Sequence, residues 1–129
     1  VNHIEHAEWL QWLHYAETIA VHGASLVQQN IIIAEELRSP IVIKLESRRL
    51  EKTLEVLDNH LQGREYLLKS GFSAIDTSVG YSIHMGSMFT NISDFKNIKN
   101  YYDKLKNRAA FKKSLPKDIN DPLKNIKAV

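Results

Sequence analysis

The chain of 129 residues has no cysteine. This absence excludes disulfide bonds, thiolate metal ligands and a cysteine nucleophile within these residues. Because small secreted domains usually carry disulfides, the composition predicts a cytoplasmic protein. The sequence also lacks an apolar run long enough to span a bilayer, and its first residues show no signal-peptide pattern, so we expect no membrane partner. It begins at Val1 without a methionine, so we expect that the chain was cut from a longer protein, with removal of the methionine by processing as the alternative.

An excess of one charge is also missing, since the formal net charge is only +2. Lysines gather between Lys96 and Lys117, but they alternate with Asp103 and with apolar residues at helical spacing. That pattern is typical of a solvated helix face, with a basic binding surface as the alternative. We therefore expect no nucleic-acid partner. What is present, 43% hydrophobic and 25% charged residues, indicates a globular domain with one core.

The first apolar segment predicts a long helix from about residue 4 to 37. Two neighbouring stripes recur along it at helical spacing. The stripes comprise Leu10, Leu13, Ala20, Val27, Ile31 and Ala34 on one side, and Trp9, Trp12, Ala16 and Ile19 on the other. So wide an apolar surface has to be covered from two sides. Ser39-Pro40 should end the helix, because a proline disfavours helical geometry at the residue before it.

A second helix should start near Ile41 and end at Gln62-Gly63, where glycine takes a left-handed cap without strain. Its inward positions are Leu50, Leu54, Leu57 and Leu61. Because the connection between the two helices is short, they should form an antiparallel hairpin.

The third helix is predicted to begin with a capping box. Ser73 can accept from the backbone N–H of Asp76, while the Asp76 carboxylate can accept from that of Ser73. Both residues therefore have a structural interpretation. Residues 77–88 contain no Asp, Glu, Lys or Arg, so this helix should be buried nearly all round. We expect His84 to be a hydrogen-bonded core residue rather than a metal ligand.

A fourth helix should follow Ser93-Asp94. Its inward positions are Phe95, Ile98, Tyr102, Leu105 and Phe111. Together the segments predict an all-α fold, a helical bundle with a long antiparallel helix hairpin around a buried central helix. The domain should occupy residues 1–115. Residues 116–129, which are polar and contain two prolines, should form a C-terminal tail packed on or near its surface.

Three segments resemble the C-terminal helical domain of bacterial glutathione S-transferases. Residues 9–17 (WLQWLHYAE) resemble its first helix, residues 71–76 (GFSAID) its capping box, and residues 101–111 (YYDKLKNRAAF) its last conserved stretch. They stand in the family's order, and the resemblance covers about residues 8–115. Two positions depart from the pattern: Ala109 stands where many relatives have proline, and Thr77 where an apolar partner for Phe72 would complete a hydrophobic staple.

The resemblance implies that the full-length protein is a cytoplasmic glutathione transferase, a detoxification enzyme that conjugates glutathione to small electrophiles or exchanges thiols. Relatives carry an upstream thioredoxin-like domain, which holds most of the glutathione site and the activating residue. It implies no catalytic residue in this chain, which would supply the electrophile site and take part in a homodimer. The alternative, from a different class, is a non-catalytic interaction module of the same fold.

Candidate site residues lie on the first helix. His14, Thr18 and His22 are four residues apart and share one side of it, with Glu17 adjacent. By resemblance, Glu17 would attract the ammonium group of glutathione and His14 would donate to a carboxylate. The alternative is that both pair at the surface. Tyr15 is a candidate for stacking on a substrate, or for the core.

Metal binding is not expected from the histidines. His3 and His6 share one helical face with His14 and His22 further along, but they lack the third ligand and the supporting groups of a zinc site.

Overall fold

Five α-helices make up most of residues 4–114, which is the part of the chain that this computed structural model describes. The helices are α1 (His6–Val27), α2 (Pro40–His60), α3 (Ala74–Gly86), α4 (Lys96–Asn107) and α5 (Ala109–Ser114). Within that range there is no β-strand, so the predicted all-α fold is confirmed. The predicted domain end at residue 115 and the tail over 116–129 lie outside the described residues.

Helices α1 and α2 form the predicted antiparallel hairpin. Their contacts run in opposite order along the two helices. Tyr15 bonds to Thr53, and His22, about two turns further along α1, bonds to Glu46, which lies earlier in α2. The inward stripe of α1 is completely or nearly completely buried, and it consists of Trp12, Ala16, Ile19, Gly23 and Leu26. This stripe packs on α2 and α3. The leucines predicted to face inward on α2 are buried as well.

The two stripes predicted on α1 enter the core to different extents. In the first stripe Trp12, Ala16 and Ile19 are buried, and Trp9 packs against the core while partly exposed. In the second stripe Leu13 packs against the core and is half-buried, as is Val27, whereas Ala20 is exposed. A helix needs an apolar strip of roughly 100° to cover one neighbour, and the additional width of α1 is left without a cover among residues 4–114.

The hairpin connection is more structured than predicted. Instead of continuing to Leu37, α1 ends at Val27 and is followed by a π-helical turn, Gln28–Ile32, and a 3-10 turn, Glu35–Leu37. The Gln29 side chain accepts from the backbone N–H of Ser39 at 2.8 Å. Ser39 caps α2 and Pro40 occupies the first turn, where its missing N–H costs nothing.

The start of α3 is organised by the carboxylate of Asp76, which is fully buried. It accepts from the backbone N–H of Ser73 at 2.7 Å and of Leu67 at 3.0 Å, and from the Tyr101 hydroxyl at 3.0 Å. These bonds join the loop before α3, the helix itself and α4. Burial, followed by the charge and hydrogen bond of Asp76, raises the pKa of Tyr101 far above its usual value.

Ser73 sits at the N-cap of α3 facing Asp76, in the arrangement of a capping box. The Asp76 half of the box is formed by the 2.7 Å bond from the Ser73 N–H. The Asp76 N–H donates to the Ser73 carbonyl oxygen at 3.2 Å, and the buried Ser73 Oγ has no hydrogen-bond partner among the described residues. The Asp76 carboxylate therefore supplies the side-chain hydrogen bond of this cap, and the Ser73 hydroxyl does not.

Phe72 replaces the missing hydrophobic staple with other contacts. The guanidinium carbon of Arg108 lies 3.6 Å from the centre of its ring, and the Tyr66 ring meets it edge-on at 5.7 Å. A cation over an aromatic face is attractive. The loop before α3 is thus attached to the junction between α4 and α5.

The expectation that α3 is buried nearly all round is wrong. Its inner side is buried and closely packed: a Cβ added to Gly80 would lie 2.6 Å from Leu105 Cδ1. Its opposite side is not covered by any of residues 4–114. The exposed residues, which we call the outer stripe, are Ala74, Thr77, Tyr81 and Met88. Tyr81 and Met88 have exposed fractions of 49% and 40%.

Candidate functional site: a groove between α1 and α3

A groove of about 430 Å³ runs between α1 and α3. Its lining is predominantly apolar, and from α1 and the π turn it comprises Ala20, Gly23, Ala24, Val27, Gln28 and Ile32. Tyr81, Ser82 and Met85 of α3 form the other wall. Because the α1 residues are small, the surface is concave and lets another element approach the backbone closely. The groove continues the apolar width of α1 that the core leaves uncovered.

Glu17 lies at one end of this groove. It borders a smaller depression of about 180 Å³ with Ala16, Ala20, Ser78, Tyr81 and Ser82. The Glu17 side chain is exposed, and among residues 4–114 it is the one charged residue that lines either depression. The Ser82 hydroxyl donates to the Ser78 carbonyl oxygen at 3.2 Å. One carboxylate beside hydroxyl groups and an apolar groove can orient a cationic group that enters from outside.

The structure separates the predicted site residues into two groups. Tyr15 and His22 turn toward α2, whereas Glu17 lies on the α3 side. At 100° per residue, Glu17 and His22 point about 140° apart around the helix axis. The spacing of four residues had suggested one cluster, but Glu17 does not share the direction of His22. His14 and Thr18 are exposed, and neither of them takes part in the bonds to α2 or lines the depression beside α3.

Tyr15 is a packing residue of the hairpin in this structure. Its hydroxyl donates to the Thr53 carbonyl oxygen at 2.9 Å, and its ring meets Trp12 edge-on at 5.0 Å. Burial raises the pKa of Tyr15, so its phenol remains protonated at neutral pH. The hydroxyl is already used between α1 and α2, and the groove lies on the other side of α1.

His22 is also occupied within the hairpin. Its Nδ1 lies 2.8 Å from Glu46 Oε2, and Arg49 contacts the other carboxylate oxygen of the same residue. Burial opposes ionisation of Glu46, but the hydrogen bonds from His22 and Arg49 outweigh it and lower the pKa of Glu46 overall. A carboxylate that stays ionised between the His22 ring and the Arg49 guanidinium needs no external ligand.

The groove residues contributed by α3 were not singled out from the sequence. Ser78, Tyr81 and Ser82 were assigned to a buried helix because no charged residue accompanies them. Composition shows that a helix lacks charged residues on every side, but it does not show whether each side is covered by the same domain or by another one. The pairing of Tyr81 with small residues three and four positions away was the available signal.

Neither metal binding nor membrane insertion finds support in the described residues. In residues 4–114 no group of three or more His, Asp or Glu side chains is placed to hold a metal ion. None of the helices in the same range has the length and apolar character needed to cross a membrane.

Comparison with known proteins identifies the fold. No protein-family model and no curated protein matches this sequence. Among solved structures, the chain is similar to a glutathione S-transferase from Methylobacillus flagellatus KT with GSH bound, with a TM-score of 0.77 and 20% sequence identity. The match covers 89% of this chain and 58% of that chain, so this chain spans less than two thirds of the length of that transferase.

The likeness shows that residues of this chain form a glutathione S-transferase-like C-terminal helical domain. The resemblance inferred from residues 9–17, 71–76 and 101–111 is therefore confirmed at the level of the fold. At 20% identity the similarity concerns the fold alone.

Proposed function

We propose that this chain is the helical domain of a glutathione-dependent transferase, and that a thioredoxin-like domain covers its groove and outer stripe. One observation carries the proposal: the exposed side of α3 has no charged residue and adjoins an apolar groove on α1. The solvated face of a helix normally carries charged residues, and a contiguous uncharged face with an apolar depression is typical of a surface that binds another protein element.

The similar transferase supports the choice of partner. That protein has a large part, 42% of its chain, to which nothing in the present chain corresponds, and it was solved with GSH bound. A second domain of that size is sufficient to cover one side of a small helical bundle. Glutathione would then bind mainly to the covering domain, at the edge where this chain contributes Glu17.

Glu17 is the residue of this chain that we assign to glutathione. The tripeptide carries an ammonium group, which a carboxylate at the end of an otherwise apolar depression attracts. The exposed His14, one turn earlier, is assigned to a glutathione carboxylate. Thr18, Tyr15 and His22 receive no role at this site, because the first is exposed away from the groove and the other two bond to α2.

A small electrophile is proposed as the second substrate, bound between the covering domain and the apolar groove wall that Tyr81 and Met85 form. A homodimer of the full-length protein is proposed as well. Large apolar residues are exposed on the side of α2 that faces away from the core, among them Ile41, Leu45 and Val56. The chemistry requires no metal, and we propose a cytoplasmic location because glutathione is abundant in the reducing interior of cells.

The proposal is tested with the full-length protein. Glutathione affinity is measured by calorimetry, and conjugation with an aryl halide is followed by absorbance, for wild type, Glu17→Gln and the control Glu55→Gln. Glu55 is an exposed carboxylate on α2 that pairs with Lys52. We expect Glu17→Gln to weaken glutathione binding about tenfold or more, because a hydrogen bond to a charged group contributes about 1.5–3 kcal/mol, and Glu55→Gln to have no effect.

Two results would count against the proposal in different ways. Unchanged affinity in Glu17→Gln removes Glu17 from the site. Absence of both glutathione binding and conjugation in the wild-type full-length protein contradicts the transferase function and leaves the non-catalytic interaction module.

A further inference from the structure

His84 stands on α3 at the border of the outer stripe. It follows Tyr81 by three residues, so these two side chains are neighbours on the helix surface, and Met88 lies in the turn that follows α3. The Tyr81 and His84 rings have centroids 6.4 Å apart. His84 is half-buried, and it is the one side chain in this part of α3 that carries a strong hydrogen-bonding nitrogen.

One ring nitrogen of His84 is already committed. Nδ1 lies 2.6 Å from the hydroxyl oxygen of Tyr102, whose side chain is buried in α4. A phenol has a single proton to donate, and within residues 4–114 the Tyr102 hydroxyl has no other hydrogen-bond acceptor. Because buried polar groups are rarely left unsatisfied, the hydroxyl donates to Nδ1. In a neutral imidazole the ring proton then resides on Nε2.

His84 is held neutral by its surroundings. Burial lowers the pKa of His84, and the nearby ammonium group of Lys106 lowers it further. The Lys106 Nζ stands 5.3 Å from the centre of the Tyr102 ring and pairs with Asp103 at 3.2 Å. No carboxylate in the described residues pairs with the imidazole. The result is a fixed neutral ring with one N–H to donate.

We propose that His84 is a docking contact, whose Nε2–H donates a hydrogen bond to a carbonyl or carboxylate oxygen of the domain that covers α3. The inference rests on the covering domain proposed above, and it specifies the chemistry of that domain's surface. Nε2 has no hydrogen-bond partner among the residues that the structure describes. A donor within an uncharged stripe would be buried unsatisfied on docking unless the covering surface offered an acceptor. Tyr102 is the positioning residue that selects this tautomer.

The test uses nitrogen–proton NMR of the histidine rings in the isolated chain and in the full-length protein. We expect the Nε2–H tautomer of His84 in both, with the Nε2 proton exchanging about five- to tenfold more slowly in the full-length protein because it is hydrogen-bonded there. His6, an exposed ring near the start of α1, is the internal control and should exchange at the same rate in both samples. Tyr102→Phe should convert His84 to a mixture of tautomers.

The outcomes separate the two proposals. If Tyr81 and Met88 react equally with a surface probe in the isolated chain and the full-length protein, α3 is not covered and the proposed function fails together with the docking contact. If they are protected but the Nε2 proton exchanges at an unchanged rate, only the assignment of His84 is overturned. An Nδ1–H tautomer, or a slowly exchanging Nε2 proton in the isolated chain, also overturns it. Should Tyr102→Phe fail to fold, the two wild-type spectra still decide.

Discussion

The inner side of α3 is buried in the domain, whereas its outer side is exposed. On the inner side, Asp76 accepts three hydrogen bonds and Gly80 lets Leu105 approach closely. On the outer side, Thr77, Tyr81 and Met88 are uncharged and yet exposed. The inner side therefore stabilises this domain, and the outer side is the surface on which we propose that another domain docks.

The largest effect should come from the inner side. Asp76→Ala leaves the N–H groups of Leu67 and Ser73 and the Tyr101 hydroxyl without their acceptor in a buried place. We expect a loss of about 3–5 kcal/mol in the free energy of unfolding, measured by urea denaturation of this chain. The exposed Asp94, which only contacts Asn91, provides the control: Asp94→Ala should change stability by about 0.5 kcal/mol or less. Equal losses in the free energy of unfolding for Asp76→Ala and Asp94→Ala would contradict this role of Asp76.

A smaller effect is expected where α2 meets α4. Asp58 accepts from the backbone N–H groups of Asn97 and Ile98, both at 2.8 Å, and thereby caps α4 from a neighbouring helix. Asp58→Ala should cost about 1–2 kcal/mol, as for other lost helix caps, with Asp94→Ala again as the control. Because Asp94 is closer to α4 in sequence, a larger loss in Asp94→Ala than in Asp58→Ala would contradict this assignment.

A pH titration compares a histidine inside the domain, His60, with a histidine beside the outer stripe, His84. Burial lowers the pKa of His60, which packs on Trp12 inside the domain, and that of His84 at the outer stripe. A lowered folded-state pKa means that the unfolded chain binds the proton more tightly, so stability present above about pH 6.5 is lost as the pH falls below it.

Denaturation at about pH 7.5 and about pH 5.5 measures this loss. Both His60→Gln and His84→Gln should make the stability less dependent on pH. In the full-length protein the loss at His84 should grow, because docking buries the ring further. A wild-type chain that is equally stable at both pH values would contradict the lowered pKa values.

The smallest effect on stability is expected at the outer stripe itself. Tyr81→Ser should change the free energy of unfolding of this chain by about 0.5 kcal/mol or less, since the residue is half exposed. Ile83→Ala, two residues away and fully buried, should cost about 2–5 kcal/mol. The order should reverse for glutathione binding by the full-length protein, where Tyr81 belongs to the docking surface. A destabilised Tyr81→Ser chain would show that the outer stripe serves this domain alone.

Local signals in the sequence were sufficient for most of the fold. Periodicity located the helices, and Ser39-Pro40 and the Ser73–Asp76 box marked the starts of α2 and α3. The remaining contacts depend on residues far apart in the chain. Asp58 caps α4 by accepting from the N–H of Asn97, 39 residues later, and Asp76 binds a tyrosine 25 residues away. No pattern within one helix contains that information.

The candidate site was predicted less well, and for a geometric reason. The spacing of His14, Thr18 and His22 described a line along one helix, but a site also needs the second helix that faces it. That helix proved to be α2 for His22 and α3 for Glu17. The π turn that ends α1 and the uncovered side of α3 likewise depend on packing that a single segment does not encode.

We have proposed that another domain covers the groove and the outer stripe. Hydroxyl-radical footprinting of the isolated chain and of the full-length protein tests it directly, because Tyr81, Met85 and Met88 are reactive side chains at the surface in question. Phe72, 40% exposed in the loop before α3, serves as the internal reference. We expect strong protection of Tyr81, Met85 and Met88 in the full-length protein and little change at Phe72. Equal modification of Tyr81, Met85 and Met88 in the two samples would contradict it.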